Sequence, residues 1–271
     1  MPTYRLLLEY EGTRFSGWQS QTNTPKTIQG NLIQAAKQLF GEADVGGAGR
    51  TDAGVHAAGQ VAHLRISAKA TEIEITRKLN DALPHDVHVL AATLVDDRFH
   101  ARHDAESRVY LYQISTRRTA FAKPFVWWIK DKLNFPAMES ASKLIVGRHD
   151  FTNFSDRRGK EESKIVVVES LELGRSGSLI LIRVTASHYL WKMVRKLVSA
   201  LVEIGRGNLS IVEFQKMLDG VTAPFEMTAP PSGLFLEAVT YPGETFDRSL
   251  QPLIPVESPY FPPRKKGSKR G

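Results

Sequence analysis

Arg108-Val109-Tyr110-Leu111-Tyr112-Gln113-Ile114-Ser115 is a strand by its alternation, with Tyr110, Tyr112 and Ile114 on one face. Its place in the chain decides the fold, because it opens a second series of elements that repeats the first. Ahead of it, Tyr4, Leu6, Leu8 and Tyr10 alternate with Arg5, Leu7 and Glu9 and run into the turn Glu11-Gly12-Thr13. After Pro25, Ile28, Leu32, Ile33, Ala36, Leu39 and Phe40 recur at helical spacing until Gly41. A glycine-rich stretch leads to a strand over 60–66, a helix over 72–83 ended by Pro84, and a strand over 86–95. Behind the tyrosine strand, 137–146 reads as a helix, 164–173 and 179–186 as strands, 189–205 as a long helix, and 234–241 as a closing strand. In the long helix Leu190, Val194, Leu197, Leu201 and Ile204 form the core stripe. The fold class is therefore α+β. It comprises two ferredoxin-like halves, residues 1–104 and 105–246, sharing one extended mixed or antiparallel sheet. Helices are expected on one face and an open cleft on the other.

With 271 residues and 42% hydrophobic content the chain can bury a core without covalent staples. The absence of cysteine excludes disulfides, thiolate nucleophiles and cysteine zinc sites. The start Met1-Pro2-Thr3-Tyr4-Arg5 lacks a secretory signal, and no run approaches the roughly 20 apolar residues that span a membrane. The expectation is a soluble cytoplasmic protein. The net charge is +7, but Arg264, Lys265, Lys266, Lys269 and Arg270 carry +5 of it, leaving +2 on residues 1–263. That basic end follows Pro252, Pro255, Pro259, Pro262 and Pro263, so residues 247–271 read as an extended, poorly ordered tail. It is either a non-specific RNA contact or a solubilising end.

One segment stands out chemically: Gly49-Arg50-Thr51-Asp52-Ala53-Gly54-Val55-His56-Ala57-Ala58-Gly59-Gln60. Small residues beside one carboxylate let a ligand approach the backbone, and a nearby guanidinium favours the ionised form. Asp52 is the first catalytic candidate. The same residues also describe a strand-to-strand turn in which Asp52 caps the backbone and Gly54 supplies a positive φ. A dinucleotide fingerprint from Gly47 fails because its sixth position is Asp52, and a phosphate loop from Gly49 to Gly54 fails at Val55 and His56.

Phe99-His100-Ala101-Arg102-His103 is a weak metal pattern. It reads either as a loop in which Arg102 meets a phosphate or as a solvated turn. Tyr110 is either packing or a platform for a base. Lys192 and Lys196 are accounted for by surface solvation or snorkelling. Arg195, beside Val194 of the apolar stripe, can reach inward to a carboxylate.

Taken together, the chain resembles the tRNA pseudouridine synthase A family from Tyr4 to about Pro242. The matching blocks are Tyr10 to Gln19, the Asp52 segment, Phe99-His100-Ala101-Arg102, Arg108-Val109-Tyr110-Leu111-Tyr112, Gly147 to Phe154, Met193-Val194-Arg195 and Gly233-Leu234-Phe235-Leu236. The resemblance implies a catalytic role for Asp52 and engagement of RNA by Arg50, which helps extrude the target nucleotide. It implies stacking of Tyr110 on the uracil, pairing of Arg195 with the catalytic carboxylate, and a base pocket lined by Leu234. His56 and Arg102 of the matching blocks count among the substrate-binding residues. The implied reaction converts uridine to pseudouridine on the 3′ side of the tRNA anticodon stem-loop, without metal, nucleotide or other cofactor, in a homodimer whose two subunits both touch one tRNA. Two departures fall at Lys192, where members often have histidine, and at Gly159-Lys160-Glu161-Glu162-Ser163-Lys164. The rival reading is a ferredoxin-like RNA-binding module or tRNA chaperone without activity. Asp52 argues against it, since a carboxylate in an RNA cleft repels phosphate.

Overall fold

The computed structural model describes residues 1–156 and 163–259. The first half runs β1 (Thr3–Tyr10), α1 (Ile28–Phe40), β2 (Ala43–Gly47), β3 (His56–Ile66), α2 (Glu72–Ala82) and β4 (Val87–Val95). The second runs β5 (Ser107–Ser115), β6 (Trp127–Trp128), α3 (Phe135–Ser142), β7 (Gly147–Asp150), β8 (Ile165–Ser176), β9 (Leu179–Ala186), α4 (Met193–Arg206), α5 (Ile211–Leu218) and β10 (Leu234–Thr240). Capping chemistry explains several helix starts. Thr27 caps α1, and Thr71 with Glu74 and Ser210 with Glu213 form reciprocal capping boxes on α2 and α5.

The main path of the sheet is β4-β1-β3-β10-β5-β9-β8-β7, with β2 on β3 and β6 on β5. Within it, β4-β1-β3-β2 and β10-β5-β9-β8 are two ferredoxin-like sets built from repeated β-α-β-β-α-β units, as the repeated plan predicts. They join where β10 lies parallel to the start of β3, Phe235 opposite His56 and Leu236 opposite Ala57. The approach is close enough that a Cβ on Gly59 would lie 2.4 Å from the Glu237 carbonyl oxygen, so glycine is required there.

One face of the sheet carries Tyr4, Leu6 and Leu8 of β1 and Tyr110, Tyr112 and Ile114 of β5, in a core shared with the buried residues of all five helices. On the opposite face Leu111, Leu179 and Leu181 pack with Ala122, Val126 and Val256. The Pro-rich stretch is thus corrected over its described part: 247–257 straps the sheet rather than standing off it. Gln113 accepts from the Leu253 and Ile254 amides at 2.8 and 3.2 Å, and Arg183 donates to the Arg248 and Ser249 carbonyls. The basic end from Arg264 and residues 159–162 of the departing loop lie outside the described residues.

Three further readings change. The long helix begins at Met193 rather than Tyr189, because Lys192 takes φ 62° and ends helical geometry there. Lys196 does not snorkel to solvent: it is 3% exposed, with Nζ donating to the Phe225 carbonyl at 2.7 Å and 3.0 Å from Asp156 Oδ1. Asp52 meets the N-terminal end of α4, so the candidate site lies on the helix-bearing side of the sheet and not on the opposite one. The strap and the 116–126 segment cover much of that opposite face in the second half. No helix among the described residues is long and apolar enough to cross a membrane.

Candidate active site

The loop between β2 and β3 carries Asp52, and its backbone is fixed from below. Gln60 of β3 donates to the Gly49 carbonyl at 2.9 Å and to the Tyr10 hydroxyl, and Tyr10 shares a 2.8 Å hydrogen bond with Thr51 Oγ1. The Trp18 amide donates to the Thr51 carbonyl, and the Gly54 amide to the Phe15 carbonyl. Gly54 has φ +78°, so the turn reading of this glycine holds. The Asp52 side chain, however, does not cap the turn; it leaves it for the second half of the molecule.

There, Arg195 Nη1 donates to Asp52 Oδ2 at 3.1 Å and Trp191 Nε1 donates to Oδ1, also at 3.1 Å. Arg195 is itself held by the Ala229 carbonyl at 2.7 Å, and its side chain is only 13% exposed against 23% for Asp52. Each carboxylate oxygen therefore receives one donor and keeps lone pairs for other work. The inward reach expected of Arg195 is what the structure shows.

Tyr110 is buried beside this pair, its ring edge-on to Tyr189 at 5.0 Å. Burial raises the Tyr110 phenol above its ordinary range, and the neighbouring Tyr10 and Asp52 act in the same direction. The hydroxyl stays a neutral donor. In register, Leu236 faces Tyr110 and Leu234 faces Tyr112, placing Leu234 on the same side of the sheet. Leu234 is 5% exposed.

His56 does not face a ligand, and its assignment to the substrate site is corrected. It is 1% exposed, stacks on Phe235 at 4.8 Å, and its Nδ1 accepts from the Gly12 amide. That bond leaves Nε2 as the protonated nitrogen, donating to the Pro124 carbonyl at 2.9 Å. Burial lowers its pKa, so the ring is a neutral anchor for the end of the motif. Arg50 and Arg102 have exposed side chains, on the Asp52 loop and on the 99–104 turn.

That turn is held by His63, whose Nδ1 accepts from the Ala101 amide at 3.1 Å. Burial, then Arg65 and His100, push the His63 pKa down to about 4, with Asp44 acting in the opposite sense. Because the folded value lies below the ordinary 6.5, the stability owed to neutral His63 is complete above about pH 6.5 and is lost as pH falls toward 4. Urea unfolding should show that decline in the wild type and a shallower one in His63→Gln; equal slopes would remove His63 as its source.

Two residues of this region escaped the sequence reading. Trp191 is one: it lies in the turn ahead of α4, so no helical spacing to Arg195 pointed to it. Arg108 is the other: it is 8% exposed and pairs with no carboxylate among the described residues. It donates instead to the carbonyls of Ala48, Arg102, Ala105 and Ser187, tying together the loops around Asp52. Burial lowers the pKa of this guanidinium.

Comparison with known proteins follows the same residues. A family model described as tRNA pseudouridine synthase matches 7–104 and 141–242. The chain is 37% identical over 245 residues to tRNA pseudouridine synthase A 2 of Bacillus anthracis, covering 89% of this chain and 100% of that one. It is 40% identical over 248 residues to tRNA pseudouridine synthase A of Maricaulis maris, covering 90% and 99% respectively. The protein of that name from Mesorhizobium japonicum is 39% identical over 249 residues, covering 89% of this chain and 100% of its own.

Proposed function

The chain belongs to the tRNA pseudouridine synthase A family, an isomerase family, and from that premise we propose that it converts uridine to pseudouridine in the anticodon arm of tRNA, with Asp52 as the catalytic residue. The observation that supports this most directly is the Asp52 carboxylate held by Arg195 and Trp191 where the two halves meet. The reaction breaks the N1–C1′ bond, turns the base, joins C5 to C1′, and moves one proton from C5 to N1. It is redox neutral, and a single carboxylate serves it, either by adding to the base or by stabilising charge at C1′ as carboxylates do in glycoside cleavage.

The base must leave its stack first, at a cost of a few kcal/mol. In this reading Tyr110 and Leu234 form the floor on which the extruded uracil rests. Arg50 and Arg102, exposed near the site, take phosphates and offset the cost of extrusion. A homodimer that shares one tRNA combines two basic surfaces, which suits a body carrying only +2 over residues 1–263.

The test is pseudouridine mapping by mass spectrometry on unmodified tRNA transcripts incubated with the protein, without added metal or nucleotide. The expected result is isomerised uridines on the 3′ side of the anticodon arm. Tight tRNA binding with no product across many tRNAs would favour the binding module instead.

A further inference from the structure

Lys192 is the only non-glycine residue with positive φ among those described, at φ 62° and ψ 6°. Those angles suit the third position of a type II turn, where glycine or asparagine is usual because a side chain crowds the backbone. The turn is present: the Met193 amide donates to the Leu190 carbonyl at 3.1 Å, with Trp191 and Lys192 at its centre. A strained residue directly between Trp191 and the helix that carries Arg195 calls for a reason, since strain of this kind persists only where the surroundings impose it.

The reason lies in what the turn does with its two neighbours. On one side α4 begins at once and presents Arg195 to Asp52 Oδ2; on the other, the indole of Trp191 comes to Oδ1. A carboxylate with a donor on each oxygen has its plane fixed, and one lone pair of Oδ1 stays free. The Lys192 ammonium is engaged by Asp156, 2.6 Å from its Oδ2, and lies 4.5 Å from the centre of the indole ring.

We propose that Trp191 is a positioning residue for the reaction, fixing the rotation of the Asp52 carboxylate, and that the left-handed backbone of Lys192, rather than its charge, aims it. The inference rests on the reading of Asp52 as the catalytic carboxylate. Trp191 holds the reacting group in the orientation that the substrate needs and takes no part in bond making.

The experiment is steady-state kinetics on a tRNA transcript with Trp191→Phe, Lys192→Gly and Lys192→Val, alongside thermal unfolding of each. Trp191→Phe keeps an aromatic side chain but removes the pyrrole part of the indole with its N–H, and thermal unfolding reads the loss of packing apart from the loss of the donor. The substitution should lower kcat by about 100-fold, the scale of a misplaced reacting group, with KM for tRNA within about twofold of wild type. Lys192→Gly loses the ammonium but adopts positive φ freely, so kcat should stay within about twofold. Lys192→Val loses the ammonium and resists positive φ, so it should fall as Trp191→Phe does. An unchanged kcat in Trp191→Phe, or a loss carried by KM, overturns the role of Trp191. Equal losses in the glycine and valine variants overturn the role of the turn and assign the effect to the ammonium. Failure of the underlying reading looks different, because the wild type itself then forms no pseudouridine.

Discussion

Asp52→Asn is expected to yield a folded protein that binds tRNA as the wild type does and makes no pseudouridine, a loss of about 10^4-fold or more in kcat/KM. The substitution keeps the shape of the side chain and removes its charge and one acceptor. In the wild type both carboxylate oxygens receive N–H donors, Oδ1 from Trp191 and Oδ2 from Arg195. An asparagine can accept from only one of them, because its amide nitrogen is a donor and must face the other. The variant therefore loses its reacting carboxylate and sets two donors against each other, with a stability cost of about 1 kcal/mol. Single-turnover product analysis with filter binding separates the two consequences. Activity within tenfold of wild type would remove Asp52 from the chemistry, whatever its contacts.

The second large effect concerns stability. Glu237→Leu should cost about 3–5 kcal/mol, because it breaks a buried ion pair by removing one partner. Arg183 is 2% exposed and Glu237 6%, and the guanidinium meets both carboxylate oxygens at 2.9 Å. Without Glu237, Arg183 keeps the Arg248 and Ser249 carbonyls and the half-exposed Glu172 at 3.6 Å, a weak substitute. Urea unfolding at neutral pH reads the cost, and amide exchange over 247–257 should quicken more than in the rest of the chain. A cost below about 1 kcal/mol would mean that Glu172 swings in and replaces the lost partner.

The sequence made some of this architecture legible and hid the rest for identifiable reasons. β1, α1, α2, β5, β9 and β10 follow from apolar period and end signals, and each formed within a few residues of its reading. β2 did not announce itself, because Ala43–Gly47 contains two glycines and buries only Val45; its strand character comes from pairing with β3. β6, β7 and α5 are short and were likewise missed. In the site, Asp52 and Arg195 stand out by residue type and by family resemblance. His56 sits in the same motif, yet only its burial tells an anchor from a ligand contact. Nor does periodicity reveal a lysine with positive φ: on paper Tyr189 to Met193 continues the helix, and the structure puts a turn there.

The position of β10 bears on how this protein is made. It is the last strand among the described residues, yet it lies between β3 and β5 in the middle of the sheet, and the segment just before it supplies the carbonyl that holds Arg195. A growing polypeptide can complete β1 to β4, with Asp52 in place, while more than half of the chain is still unsynthesised. Such a fragment has neither Arg195 nor Trp191 and no seam to join it to the second half. On the reading of Asp52 as the catalytic carboxylate, competence waits until Leu234–Thr240 takes its place between β3 and β5.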